Sequence, residues 1–186
     1  MAIKKKVAIS PAHYGITKID NPIDGIWSET ESNLLFALFL TRELEEADIK
    51  TFFMGYGTYK ERKLFANAKK VNLYISIHTD AIDSDAIVAY RSGDESSYKI
   101  ASYIVQTLRK LDYPIPIKIV ERKTERADRD NLSGLHVPGI IIMPYSIKKH
   151  ISLFRREAYK MSSMWAYAIA KYYYSSLKKQ INRRIL

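Results

Sequence analysis

The stretch that most restricts the fold is Val71 to His78, VNLYISIH, a run of apolar and β-prone residues about the length of one buried strand. It ends in a polar cluster, His78, Thr79 and Asp80. A strand so short of polar residues has no face to offer water, so it belongs inside a sheet covered on both sides. The histidine at its end then stands at the sheet's carboxyl edge, where strand ends hold side chains rigidly and loops leave room for a ligand. Histidines in such places are more often structural caps than ligands, and His78 by itself decides nothing.

The rest of the chain repeats the pattern. Lys6 to Ser10 predicts a short strand, closed by Pro11 and a turn at Ala12-His13-Tyr14-Gly15, so His13 also lies just past a strand end. The segment from Ile16 to Ser28 carries the turn signals Asp20-Asn21-Pro22 and Asp24-Gly25. From Glu29 onward, Leu34, Leu35, Leu38, Phe39 and Leu44 recur at three- and four-residue spacings, which predicts a helix with Ser28 as its N-cap. Glu29 falls in the first turn, where a carboxylate suits the helix dipole. Further strands are predicted at Thr51 to Met54, Ala86 to Tyr90, Ile117 to Val120 and Pro138 to Met143. Helices are predicted from about Lys60 to Lys70, from Glu95 to Leu111 and from Ile151 to about Leu177. Arg122 to Asn131 reads as a charged, exposed loop. Alternating strands and helices predict an α/β fold: a single domain over residues 1–177, with a central, mostly parallel twisted sheet of about six strands and helices on both faces. Residues 178–186 form a basic tail.

Composition narrows the chemistry. With no cysteine in 186 residues, any metal must be held by histidine, carboxylate or carbonyl groups. No apolar run is long enough to cross a bilayer, and the start, MAIKKKVAIS, lacks the apolar core of a secretory signal. The expectation is a chain that is cytoplasmic as synthesised. The net charge of +10 is concentrated at Lys4 to Lys6, Lys69-Lys70, Arg122 to Arg129 and Lys178 to Arg184, and it favours a polyanionic partner. Nucleic acid, an anionic membrane and the acidic polymers of a bacterial wall all qualify on charge. No helix-turn-helix, RNA-binding aromatic motif or zinc finger is evident, so no specific nucleic-acid partner is expected.

Three groups have the chemistry of metal ligands at places where α/β folds build sites: His13 after the first strand, Glu29 opening the first helix, and His78 ending a central strand. Two imidazoles and a carboxylate leave a fourth position for water, the ligand set of many hydrolytic zinc centres. Spacing alone does not join them, because any chain with four histidines offers some such combination.

Arg62, Ala66-Asn67 and ISIHTDA together resemble the zinc-dependent N-acetylmuramoyl-L-alanine amidases of the Amidase_3 type, whose corresponding stretch runs R, AN, SIHxNA. Ala12 to Gly15, AHYG, resembles that family's GHGG-like turn with the first glycine lost. Glu29 with Leu34 five residues on fits the phasing of its glutamate ligand, and Asn33 matches a further position. The similarity continues as pattern through SYKIASYIVQTL to the last helix. The resemblance implies Zn(2+) held by His13, Glu29 and His78, peptidoglycan as the partner, and hydrolysis of the bond between N-acetylmuramic acid and L-alanine. Glu31 is the alternative carboxylate. It lies about 200° around the helix from Glu29, so the two cannot readily face one metal. Arg62 and Asn67 are expected to brace the fold near the site.

One departure bears on activity. The family's late strand ends in a glutamate that serves as general base, and Met143 stands at that place here; a thioether takes no proton from water. Asp80, two residues past His78, is the candidate replacement, with His136 and Glu157 weaker ones. Trp27 and Trp165 are open to two readings, sugar contacts or core. Two functions follow as expectations. One is a peptidoglycan amidase of phage-endolysin kind, acting on the wall after release from the cytoplasm. The other is a catalytically inactive protein of the same fold with a binding or structural role, such as a virion component.

Overall fold

The computed structural model describes residues 4–14, 28–79, 85–122 and 131–174. In chain order the elements are β1 (Lys6–Pro11), α1 (Glu29–Glu46), β2 (Lys50–Phe53), α2 (Tyr59–Ala68), β3 (Leu73–Ile77), β4 (Ala86–Arg91), α3 (Glu95–Lys110), β5 (Ile117–Arg122), β6 (Gly139–Met143) and α4 (Ile147–Tyr173). The six strands form one sheet in the order β2-β1-β3-β6-β4-β5. Neighbours from β2 to β6 pair in parallel; β4 runs antiparallel to β6, and β5 is parallel to β4. One edge of the sheet therefore collects the carboxyl ends of β1, β2, β3 and β6 together with the starts of β4 and β5.

Alternation along the strands sends successive side chains to opposite faces. Val7, Ile9, Leu73, Ile75, Ile77, Ile140 and Ile142 meet the apolar sides of α1, α3 and α4, where Phe36, Leu40, Ile104, Phe154 and Trp165 are fully buried. Trp165 packs edge-on against Phe36 and Tyr113, with ring centroids 6.5 and 5.9 Å away, so this tryptophan is core. The opposite face, with Ala8, Tyr74, Ile87, Ala89 and Ile141, is covered by Ala66 of α2 and by Leu132 and Leu135. Gly139 allows that second cover to seat, since a Cβ there would lie 2.5 Å from Leu135 Cδ1. Among the described residues no helix is long and apolar enough to cross a membrane.

The final helix starts at Ile147, four residues earlier than the apolar pattern predicts, with Ser146 at its N-cap. Lys148, Lys149 and His150 occupy its first turn, where the helix dipole disfavours positive charge, so sequence preference alone does not place a start there. Residues 123–130 and the basic tail at 178–186 lie outside the described residues.

Candidate metal centre

Each of the three predicted ligands is delivered to the same edge of the sheet by a different element. Helix α1 begins with a complete capping box: Ser28 Oγ accepts from Glu31 N, and the Glu31 carboxylate accepts from Ser28 N at 2.9 Å and Ser28 Oγ at 3.1 Å. Glu31 is thereby committed to the cap, and Glu29 is left to face the sheet edge. His78 continues β3 and is tied to the neighbouring strand by a backbone hydrogen bond from its N–H to Ile142 O, 2.9 Å. His13 follows β1 with a left-handed φ of 63°, rare for any residue with a Cβ, and its N–H donates to Tyr59 OH at 3.1 Å.

The side chains converge. His78 Nδ1 is 3.3 Å from Glu29 Oε1, and His13 Nε2 is 3.7 Å from Glu29 Oε2. The two imidazoles stand edge to face, with centroids 5.7 Å apart, and one ligand atom from each residue lies within 4.8 Å of the others. Bonds of about 2.1 Å in a tetrahedral zinc site put neighbouring ligand atoms roughly 3.4 Å apart, so the two measured carboxylate–imidazole separations suit such an ion. Two nitrogen donors and one carboxylate also match the ligand types that zinc takes in hydrolytic sites.

Glu29 is held from several sides. Its Oε1 accepts from Thr79 N at 3.3 Å and from Asn33 Nδ2 at 3.5 Å, while the same Asn33 amide donates to Ala12 O at 3.3 Å. Burial would raise the carboxyl's pKa, but the hydrogen bond and charge of His78, the charge of His13 and the Thr79 N–H together outweigh it and bring the pKa down to about 2. The group is poised as an anion.

Arg62 and Asn67 brace the surroundings. Arg62 is 1% exposed, and its guanidinium donates to Pro11 O (2.8 Å), Ser10 Oγ (3.0 Å), Gly57 O (3.1 Å), Tyr56 O (3.3 Å) and Tyr14 O. It thus clamps the turn that carries His13 onto the loop before α2, and burial among neutral acceptors lowers its own pKa. Asn67 donates to Gly134 O (2.9 Å) and accepts from His136 N (2.8 Å), pinning the segment that leads into β6.

Met143 ends β6. Register pairs Ile77 with Ile142, so Met143 stands on the rung beside His78, and its side chain packs with the α2-side core. Asp80 lies outside the described residues, as does Trp27. His136 precedes β6 and therefore sits at the opposite edge of the sheet, and Glu157 pairs with Arg156 on α4 at 3.1 Å.

One residue at the centre had no signal in the sequence. Asn131, placed by the charge pattern in an exposed loop, is 3% exposed; its Oδ1 lies 3.1 Å from His78 Nε2 and 2.5 Å from Ser76 Oγ.

Residues 7–179 match the model of the Amidase_3 family, described as N-acetylmuramoyl-L-alanine amidase. No curated protein matches by sequence. Among solved structures, the N-acetylmuramoyl-L-alanine amidase AmiC2 of Nostoc punctiforme is 18% identical with a TM-score of 0.71, over 94% of this chain and 98% of that one. An N-acetylmuramoyl-L-alanine amidase from Clostridium difficile 630 is 19% identical with a TM-score of 0.73, over the same shares, 94% and 98%. The catalytic domain of an endolysin targeting Clostridia difficile is 15% identical with a TM-score of 0.65, over 89% of this chain and 96% of that one.

Proposed function

From the premise that this chain belongs to the Amidase_3 family of N-acetylmuramoyl-L-alanine amidases, we propose that it is a zinc-dependent peptidoglycan amidase hydrolysing the bond between N-acetylmuramic acid and L-alanine. The observation that carries this reading is the convergence of His13, Glu29 and His78 at one sheet edge. Those three side chains would hold the ion. A zinc ion there supplies Lewis acidity, polarising the scissile carbonyl and acidifying water. The protein's own part is to hold the donors in place. Thr79 N and Asn33 Nδ2 fix the Glu29 carboxylate, and Arg62 fixes the turn of His13. The net charge of +10 suits an anionic wall, and an endolysin role after release from the cytoplasm suits a domain of this kind. The domain would end at residue 177, leaving 178–186 as a basic tail.

A second reading is favoured by Met143: a catalytically inactive member of the fold, kept for binding or structure, as in a virion. In the resemblance this position belongs to the glutamate that acts as general base, and a thioether cannot replace it. Asp80 is the candidate substitute.

Zinc content and wall digestion test the first reading together. The purified chain is expected to hold about one zinc and to release L-alanine amino termini from peptidoglycan. His78→Ala should lose both while its far-UV spectrum is kept. A protein that takes up no zinc even when the metal is added would overturn the reading. Met143→Glu separates the two alternatives. If the base was lost, the variant gains roughly 10²–10⁴-fold in amidase rate; a folded, zinc-loaded variant with no gain places the base elsewhere, at Asp80 first.

A further inference from the structure

We infer that Asn131 is a positioning residue of the metal centre: its side-chain carbonyl fixes the His78 tautomer that leaves Nδ1 free to bind an ion. The inference rests on the reading of His13, Glu29 and His78 as the ligands.

His78 stands over the sheet edge with its two ring nitrogens engaged on opposite sides. Nδ1 faces Glu29 on the α1 side, and Nε2 faces Asn131, which precedes the Leu132 and Leu135 cover of the other side. A neutral imidazole carries its proton on one nitrogen only, so once an ion takes the place of the Nδ1 contact with Glu29 the proton must sit on Nε2, and the partner of Nε2 decides how well it is held there. If Asn131 presents its oxygen, Nε2 is the donor and the Nδ1 lone pair is available to a metal. If it presents its amide nitrogen, Nε2 is the acceptor, Nδ1 carries the proton, and ligation through Nδ1 is lost.

Ser76 settles the orientation. Its hydroxyl lies 2.5 Å from the same Asn131 atom. That distance falls in the range of an O–H···O hydrogen bond and is short for one involving an amide nitrogen. The oxygen therefore faces Ser76, the serine hydroxyl donates to it, and the second acceptor position of the same oxygen is turned to His78 Nε2. Ser76 and Asn131 are both buried, at 0% and 3% exposure, so little water competes for that oxygen. Metal-bound histidines commonly donate their second N–H to an oxygen acceptor, and loss of that acceptor typically costs 10–100-fold in metal affinity.

The test combines zinc affinity, read by competition with a chromophoric chelator, with the His78 tautomer, read from long-range ¹H–¹⁵N correlations of the ring. The zinc-loaded wild type should show His78 protonated on Nε2. Asn131→Ala should weaken zinc binding by about 10–100-fold, with the melting temperature of the zinc-free protein little changed. Asn131→Asp keeps an oxygen acceptor and should restore most of the affinity and the same tautomer. Asn131→Ala with wild-type zinc affinity, or a zinc-loaded wild type protonated on Nδ1, overturns the inference while leaving the metal centre in place. Should Asn131→Ala not fold, the wild-type tautomer and Asn131→Asp still decide. A wild type that binds no zinc is a different failure, since it removes the metal centre itself and the inference with it.

Discussion

The two faces of the sheet are built from the same strands and carry different work. On the side of α1, α3 and α4, the central strands β1, β3 and β6 contribute aliphatic groups, such as Ile9, Ile75 and Ile142, against a cluster of aromatic rings. On the side of α2, the very next residues are Ser10 and Ser76, bonded to Arg62 and Asn131, and Tyr74, whose hydroxyl burial pushes up to about 12. The first face folds the domain. The second ties the sheet to the segments around His13 and Asn131 through polar groups that a purely apolar core does not provide. A single register thus encodes both, and a one-residue slip would exchange them.

Substitutions confined to one face measure how separable these roles are. Trp165→Ala, on the aliphatic side, should have the largest effect on stability, a loss of about 3–5 kcal/mol, seen as a lower urea midpoint. Zinc affinity in the fraction still folded should stay near wild type; a parallel loss of affinity would show that the faces are coupled. Arg62→Ala, on the polar side, should cost less stability, about 1–3 kcal/mol from the abandoned carbonyls. It should also reduce zinc affinity roughly tenfold by releasing the turn of His13. An unchanged affinity would break the proposed link between clamp and ligand.

A pH dependence belongs to Glu29, which joins the two sides. Its folded pKa, about 2, is below the ordinary value of 4.5, so its stabilising contribution is complete above pH 4.5 and is lost as pH falls through about 2. Urea titrations of zinc-free wild type and Glu29→Gln should therefore differ most above pH 4.5 and converge on acidification. Curves that stay parallel down to pH 2 would contradict the depressed pKa.

Much of this was legible in the chain, for identifiable reasons. The apolar runs gave all six strands to within a residue or two at most ends, most sharply at β3, which is buried throughout. Strand direction was not legible: AIVAYR reads alike in a parallel or antiparallel place, and β4 proved antiparallel to β6. Of the site, His13, Glu29 and His78 stand beside strand ends and a helix start in the sequence, only the family resemblance joins them there, and the structure brings them together. The choice of Glu29 over Glu31 agrees with the capping box that occupies Glu31. Asn131 was hidden because an asparagine in a charged stretch looks like a surface residue; only the folding of residues 131–135 over Tyr74 and Ile141 puts it in the interior.

The backbone of His13 has an evolutionary consequence. A left-handed φ of 63° costs a residue with a Cβ on the order of 1–2 kcal/mol that glycine does not bear. Mutation toward glycine at this position would relieve that strain while removing an imidazole from the centre. Selection for a sturdier domain and selection for a working site therefore pull this codon in opposite directions. The histidine carries a standing cost to stability, which makes position 13 a sensitive place in the chain to measure one pressure against the other.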